Sequence, residues 1–303
     1  PLTISGNTTF ANGTNCATSG AATSGDATGD NTSTSTVEVV QGPACSIAVS
    51  ASAGTIACNG GTTTLTATAT GASGAVEYSL NGGAFQSGNT FTVNAAGSPY
   101  TITAREVATP SCNATSSPVN VSQPSAISAS ASAGTIACNG GTTILTVTAT
   151  GGTGSLQYSL NGGAFQSGNT FTVNAAGSPY TVTVQDANNC TATTSAVNVS
   201  QPSAISASAS AGTIACNGGT TTLTVTATGG TGSLQYSLNG GAFQAGNTFT
   251  VNAAGSPYTV TVQDANNCTA TTSAVNVSQP SAISASASAG TIACNGGTTT
   301  LTV

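Results

Sequence analysis

Apolar and polar residues alternate along most of the chain with a period of two. Leu145, Val147 and Ala149 interleave with Thr146, Thr148 and Thr150. Leu156, Tyr158 and Leu160 interleave with Gln157 and Ser159, and Tyr180, Val182 and Val184 with Thr181 and Thr183. Phe171 and Val173 flank Thr172, and Val197 and Val199 flank Asn198. Such alternation predicts half-buried strands, with β-branched Thr suited to the solvated side. No window carries a helical stripe with caps. Turn signals separate the strands: Asn139-Gly140-Gly141, Gly151-Gly152-Thr153-Gly154, Asn161-Gly162-Gly163, Gly177-Ser178-Pro179 and Asp186-Ala187-Asn188-Asn189. About six or seven short strands per module predict an antiparallel sandwich.

The pattern recurs. Ala-Cys-Asn-Gly-Gly-Thr-Thr is found around Cys58, Cys138, Cys216 and Cys294, at spacings of 80, 78 and 78 residues. Residues 125–202 and 203–280 differ at two positions, Ile144 against Thr222 and Ser167 against Ala245. The expected fold is all-β: a tandem, rod-like array of small antiparallel immunoglobulin-like β-sandwich modules of about 78 residues. The expected divisions are 1–45, the C-terminal part of a module with a Gly/Ser/Thr-rich insertion near Thr18–Asn31; 46–124, a divergent first repeat; 125–202 and 203–280, the second and third; and 281–303, the N-terminal strands of a fourth. The first repeat has Arg105–Ser111 where the later ones have Asp and paired Asn. Ser-Gln-Pro-Ser at Ser200–Ser203 joins modules with little slack, which predicts stiff joints and a module length of roughly 40 Å. Pro1 in place of an initiator Met suggests a processed or excerpted chain.

Composition narrows the chemistry. Of the 303 residues, one is basic (Arg105) and seven are acidic, and His, Lys, Met and Trp are absent. No imidazole base or amine nucleophile exists, and one Arg makes no basic face for nucleic acid. A glycosidase needs two carboxylates across one cleft, whereas the second and third repeats hold one acid each. The expectation is a non-enzyme with no catalytic residues and no cofactor. No run of 18 apolar residues predicts a membrane span. Charged residues make up 3% of the chain, far below an ordinary surface, so Ser, Thr and Asn, or sugars attached to them, must keep it hydrated. Sequons stand at Asn7, Asn12, Asn31, Asn113, Asn120, Asn189, Asn198, Asn267 and Asn276.

Nine Cys point to an oxidising compartment and disulfides. Each full repeat holds two, which suggests Cys58–Cys112, Cys138–Cys190 and Cys216–Cys268 as bridges within modules. A loop of 52 residues closed in this way is worth about 4 kcal/mol in the chain-entropy model. Cys16, Cys45 and Cys294 remain, with Cys16–Cys45 and an intersubunit Cys294–Cys16 as rival pairings.

Cys138-Asn-Gly-Gly, Gly151-Gly-Thr-Gly, Leu156-Gln-Tyr-Ser, Tyr180-Thr-Val-Thr-Val-Gln-Asp-Ala-Asn-Asn-Cys190 and Gln201-Pro202 together resemble the SprB-type repeat of very long surface adhesins of gliding bacteria of the Bacteroidetes group. The resemblance covers residues 46–280 and both partial ends. It implies an extracellular β-sandwich array in a filament or adhesin, and it carries no catalytic residues.

Three further readings follow from the residues. Asp186 and Asp264, on Asn-rich turns, are weak calcium candidates, with an Asx turn as the plainer role. Tyr158, Tyr180 and Phe171 fall in phase with the strand cores; Phe165, beside a glycine turn, is the aromatic best placed to meet a sugar. The partial modules at the two ends suggest head-to-tail self-association by strand addition, which makes a structural filament the leading function and a glycan- or surface-binding adhesin the alternative.

Overall fold

The computed structural model describes residues 45–303. It falls into two compact units, one ending at Ala126 and the other running Ile127–Val303. The division lies two residues beyond the one read from the repeats.

In the first unit the strands are β1 (Ala48–Ala53), β2 (Thr62–Thr70), β3 (Val76–Leu80), β4 (Phe85–Gln86), β5 (Thr90–Asn94), β6 (Ile102–Glu106) and β7 (Asn113–Thr115). They form two antiparallel sheets, in the orders β1-β2-β5 and β4-β3-β6-β7. Leu65 and Val93 from the first sheet meet Ile102 from the second in one core cluster, so the sheets make a sandwich. The alternation explains this packing: β2 buries Leu65 and Ala67 while Thr64, Thr66 and Thr68 face water.

The second unit contains this pattern twice. Its strands are β8 (Ser128–Ala133), β9 (Thr142–Thr150), β10 (Gln157–Leu160), β11 (Thr170–Asn174), β12 (Val182–Gln185) and β13 (Thr191–Thr193), then β14 (Ser206–Ala211), β15 (Thr220–Thr228), β16 (Gln235–Leu238), β17 (Thr248–Asn252), β18 (Val260–Gln263) and β19 (Thr269–Thr271). Sheet orders β11-β9-β8 and β10-β12-β13 are repeated as β14-β15-β17 and β16-β18-β19. Leu145, Val147, Val182 and Val184 are at most 1% exposed and fill the gap between the second repeat's sheets. Burying four such side chains contributes roughly 6–12 kcal/mol of hydrophobic stabilisation before entropy is counted. Ile144 is half exposed on the solvated side of β9, so its replacement by Thr222 in the next repeat leaves the core alone.

The turns follow the sequence. Asn161 and Gly162 both take positive φ, 47° and 75°, as a two-residue hairpin turn requires. The Asn161 carboxamide oxygen then accepts from the Thr181 N–H at 2.8 Å and ties the turn to β12. Tyr180, 6% exposed, donates its hydroxyl proton to the Asn174 carbonyl at 2.8 Å. The core reading of Tyr158, Tyr180 and Phe171 holds, since all three pack in or against the core.

Residues 281–303 carry the last pair, β20 (Ser288–Ala289) and β21 (Leu301–Thr302). Their register, Ser288 opposite Thr302 and Ala289 opposite Leu301, repeats that of Ser210 with Thr224 and Ala211 with Leu223. The burial differs. Leu223 and Val225 are fully buried, whereas Leu301 and Val303 are 63% and 84% exposed. Among the described residues no second sheet packs on this two-stranded one.

Candidate functional site: the cysteine turns of successive repeats

Two turns in each repeat carry cysteine, and they lie at opposite ends of the sandwich. The Cys138 turn precedes β9. The Asn139 side chain donates to the Pro202 carbonyl at 2.9 Å, and the Gly140 N–H donates to the Gln201 carboxamide oxygen at 2.8 Å. The residues that close the repeat are thus held on its own first-cysteine turn. The Cys190 turn sits beyond the far end of β9, where the Asp186 carboxylate accepts from the Thr153 N–H at 2.8 Å. Nine residues of strand separate the two ends by about 30 Å. A disulfide needs Cα atoms within about 7 Å.

That separation corrects the expected pairings. Cys138 is bonded to Cys268 of the following repeat, with sulfurs 2.01 Å and Cα atoms 5.6 Å apart. Cys112 is bonded to Cys45, not to Cys58. Cys58 and Cys190 are also disulfide-bonded, while Cys216 and Cys294 are exposed thiols. Cys58–Cys112, Cys138–Cys190 and Cys216–Cys268 therefore do not form, because each would join opposite ends of one sandwich. Cys16–Cys45 does not form either, since Cys45 is engaged. Cys16 lies outside the described residues. In the first repeat Cys45 stands where Ser125 and Ser203 stand later, beside the second-cysteine turn, and closes that end within the repeat itself.

The Asp264 turn shapes the cysteine it presents. One carboxylate oxygen accepts from the Asn266 and Cys268 N–H groups, each at 2.9 Å, and the other from the Thr231 N–H at 2.8 Å. Asn267 takes φ 64°, which closes the turn. The Asn266 carboxamide reaches across the joint and donates to the Ala137 carbonyl at 3.1 Å, beside the disulfide. A shallow cleft of about 320 Å³ opens here between Cys138, Ile205, Gly230 and Asp264. Burial would raise the Asp264 carboxyl pKa, but the N–H bonds from Cys268, Thr231 and Asn266 outweigh it and hold the group below the usual carboxylate value. Asp186 is held low in the same way by Thr153, Cys190 and Asn188.

Those bonds bear on the calcium reading of Asp186 and Asp264. A cation at Asp186 or Asp264 would face three N–H dipoles pointed at the same oxygens. Among the described residues no three His, Cys, Asp or Glu side chains gather into a cluster. The carboxylates serve the Asx turn.

The sequence reading missed Glu106. Although the first repeat lacks the Asp, Glu106 occupies its place: it is 7% exposed and accepts from the Ser73 N–H at 2.6 Å and hydroxyl at 3.0 Å. Its N–H pairs with the Cys112 carbonyl, as that of Asp186 pairs with Cys190. The signal was an acid six residues before a cysteine rather than four.

Of the sequons, Asn113, Asn120, Asn189, Asn198, Asn267 and Asn276 are exposed; Asn7, Asn12 and Asn31 lie outside the described residues. Phe165 and its counterpart Phe243 are each 41% exposed. In the first repeat that place is Phe85, whose ring lies 3.7 Å beneath Arg105, itself paired to Glu77 at 2.6 Å. Among the described residues no helix is long and apolar enough to cross a membrane.

No protein-family model and no curated protein matches the chain. Among solved structures, the chain is similar to extracellular domains 3–5 of Drosophila OTK, at 14% identity over 72% of this chain and 91% of that one, with a TM-score of 0.26. It is also similar to the fibronectin(III)-like modules of Clostridium thermocellum CbhA, at 12% identity over 49% and 94%, with a TM-score of 0.24. The assignment of all-β sandwich modules rests on the chain's own sheets and cores.

Proposed function

We propose that the chain is a structural repeat segment of an extracellular bacterial filament or surface stalk of the SprB type, assembled head to tail and coated with sugars. The observation that carries this reading is the Cys138–Cys268 bridge, which links one repeat to the next instead of stapling one repeat to itself. A binding domain needs stability within each module; a load-bearing element needs continuity between modules. Disulfides fit an extracellular location. Ile292, Leu301 and Val303 are exposed where their counterparts Ile214, Leu223 and Val225 are core residues. Residues 1–45 resemble the later part of a repeat, and the head-to-tail assembly proposed here is strand addition between copies. The exposed sequons offer attachment points for glycans in a chain with little charge to hydrate it.

Electron microscopy of the native material together with its intact mass tests this. Long fibres of regular subunit repeat, with mass above the bare 28.6 kDa, are expected. Single short particles of the bare mass would reject both assembly and glycosylation.

An adhesin is the second reading, favoured by Phe165 and Phe243, which expose an aromatic face at the same place in two repeats. Weak sites repeated along an array gain avidity. Binding to a glycan array that disappears in the F165A/F243A variant would support it; no binding, or binding unchanged in that variant, would remove it.

A further inference from the structure

We propose that the outer face of sheet β10-β12-β13, around Phe165, Gln157 and Gln185, is a binding site for a neutral sugar ring. The matching face of the third repeat, around Phe243, Gln235 and Gln263, is a second such site. The inference rests on the adhesin reading above and adds the class of sugar, the polar residues that hold it and the reason the first repeat takes none.

All three repeats present the ring in the same way. In the second, the Ser159 hydroxyl donates to the Gly163 carbonyl at 2.6 Å, and the Gln166 carboxamide donates to the Gly168 and Thr170 carbonyls at 2.8 and 3.0 Å. Ser237 and Gln244 make the same bonds in the third repeat, and Ser79 and Gln86 in the first. Phe165 thus stands on a loop tied down on both sides of it, and little ordering remains to be done on binding.

What differs is the cover. In the first repeat Glu77 and Arg105 stand opposite each other on β3 and β6 and pair at 2.6 Å, and the guanidinium sits 3.7 Å over the Phe85 ring. Gln157 and Gln185 hold those register positions in the second repeat, and Gln235 and Gln263 in the third. Among the described residues none of these four carboxamides has a hydrogen-bond partner. Phe85 is half-buried, whereas Phe165 and Phe243 are exposed. The first repeat therefore carries its own occupant, and the other two leave the same ring open.

The chemistry of the face selects the ligand. An aromatic face is electron-rich and attracts groups with positive charge on their surface. A sugar ring offers the C–H hydrogens of one side to the phenyl group and its hydroxyls to the carboxamides, each of which both donates and accepts. A cation would lack the counter-ion that Glu77 gives Arg105, because Gln157 and Gln235 stand there. An acidic sugar would meet no cation at all, since the one basic residue of the chain is Arg105. A neutral sugar satisfies both the ring and the amides.

The test is binding of the full chain to an array of neutral and acidic glycans. Neutral glycans are expected to bind and sialic or uronic acid termini to be ignored. The variant Q157E/Q185R/Q235E/Q263R rebuilds the first repeat's cover over both rings, and its signal should fall about tenfold or more with its melting temperature kept. The reverse change, E77Q/R105Q, uncovers Phe85 and should raise the signal; it decides the matter where the covering variant fails to melt cooperatively. Binding that survives the covering variant, binding confined to acidic glycans, or no gain from E77Q/R105Q overturns the inference and leaves the adhesin reading standing. No binding to any glycan overturns both.

Discussion

Cys138 and Cys268 lie 130 residues apart in sequence and in different repeats, and their sulfurs are bonded. The cysteine 52 residues from Cys138, within its own repeat, is held at the other end of the sandwich by Asp186 and Thr153. One cross-link therefore does different work from the other: it leaves each core to support itself and fastens neighbours together.

Peptide mapping of the monomer under non-reducing conditions is expected to return Cys138 with Cys268 and Cys45 with Cys112. Cys138 linked to Cys190 would sink the staggered arrangement. The chain-entropy model assigns the 130-residue bridge about 5 kcal/mol against the fully unfolded chain. Reduction should thus lower the thermal midpoint while leaving each sandwich folded at room temperature, as read by retained far-ultraviolet circular dichroism.

Leu145→Ala and Leu223→Ala should each cost about 2–5 kcal/mol, since both side chains are fully buried. Ile144→Thr is the matched control. That residue is half exposed, and the third repeat already has Thr222 there, so a change within about 0.5 kcal/mol is expected. Denaturant melts of the variants decide; an Ile144→Thr loss as large as that of Leu145→Ala would contradict the strand phase.

Asp186 and Asp264 have pKa values lowered by folding. A group lowered in the folded state stabilises above its unfolded value, near 3.9, and that contribution drains away as pH falls through the folded value. Thermal midpoints should be flat near neutrality and drop below about pH 4. The D186N/D264N variant should start lower at pH 7, with fewer acceptors for the N–H groups, and lose less on acidification. Parallel pH profiles for the two proteins would reject the assignment.

Gly230→Ala should destabilise by about 1–2 kcal/mol or more. Gly230 has φ +70°, and an added Cβ would lie 2.9 Å from the Asp264 carboxylate. Gly240→Ala shares the backbone cost, at φ +74°, but meets open space. The larger drop in melting temperature is expected at Gly230; equal drops would mean that the Asp contact is unimportant.

The strands and hairpin turns were legible in the sequence because a period of two and an Asn-Gly pair each specify local backbone geometry. Leu145, Val147, Val182 and Val184 face inward as their alternation required, and Asn161-Gly162 turns as its residue types required. The cysteine partners were not legible. Two cysteines per repeat suggest a pair, yet which end of a sandwich each occupies depends on how an even or odd number of strand crossings places its turn. The periodic sequence is also silent on whether a contact stays in one copy or passes to the next. Glu106 was missed for a related reason: its longer side chain, on a turn two residues longer, reaches the Ser73 N–H as Asp186 reaches that of Thr153, and alignment by residue type does not show reach.

The Gln201–Pro202 segment rests on the Cys138 turn, and the sulfur of that turn is bonded to Cys268 of the following repeat. The joint consequently has two covalent routes across it, one through the peptide backbone and one through sulfur. A protease that cuts at Ser200–Ser203 severs only the first, and a reductant only the second. Material of this design, exposed to the enzymes of a crowded environment, would accumulate nicks without parting, and would come apart only where both insults fall on the same joint.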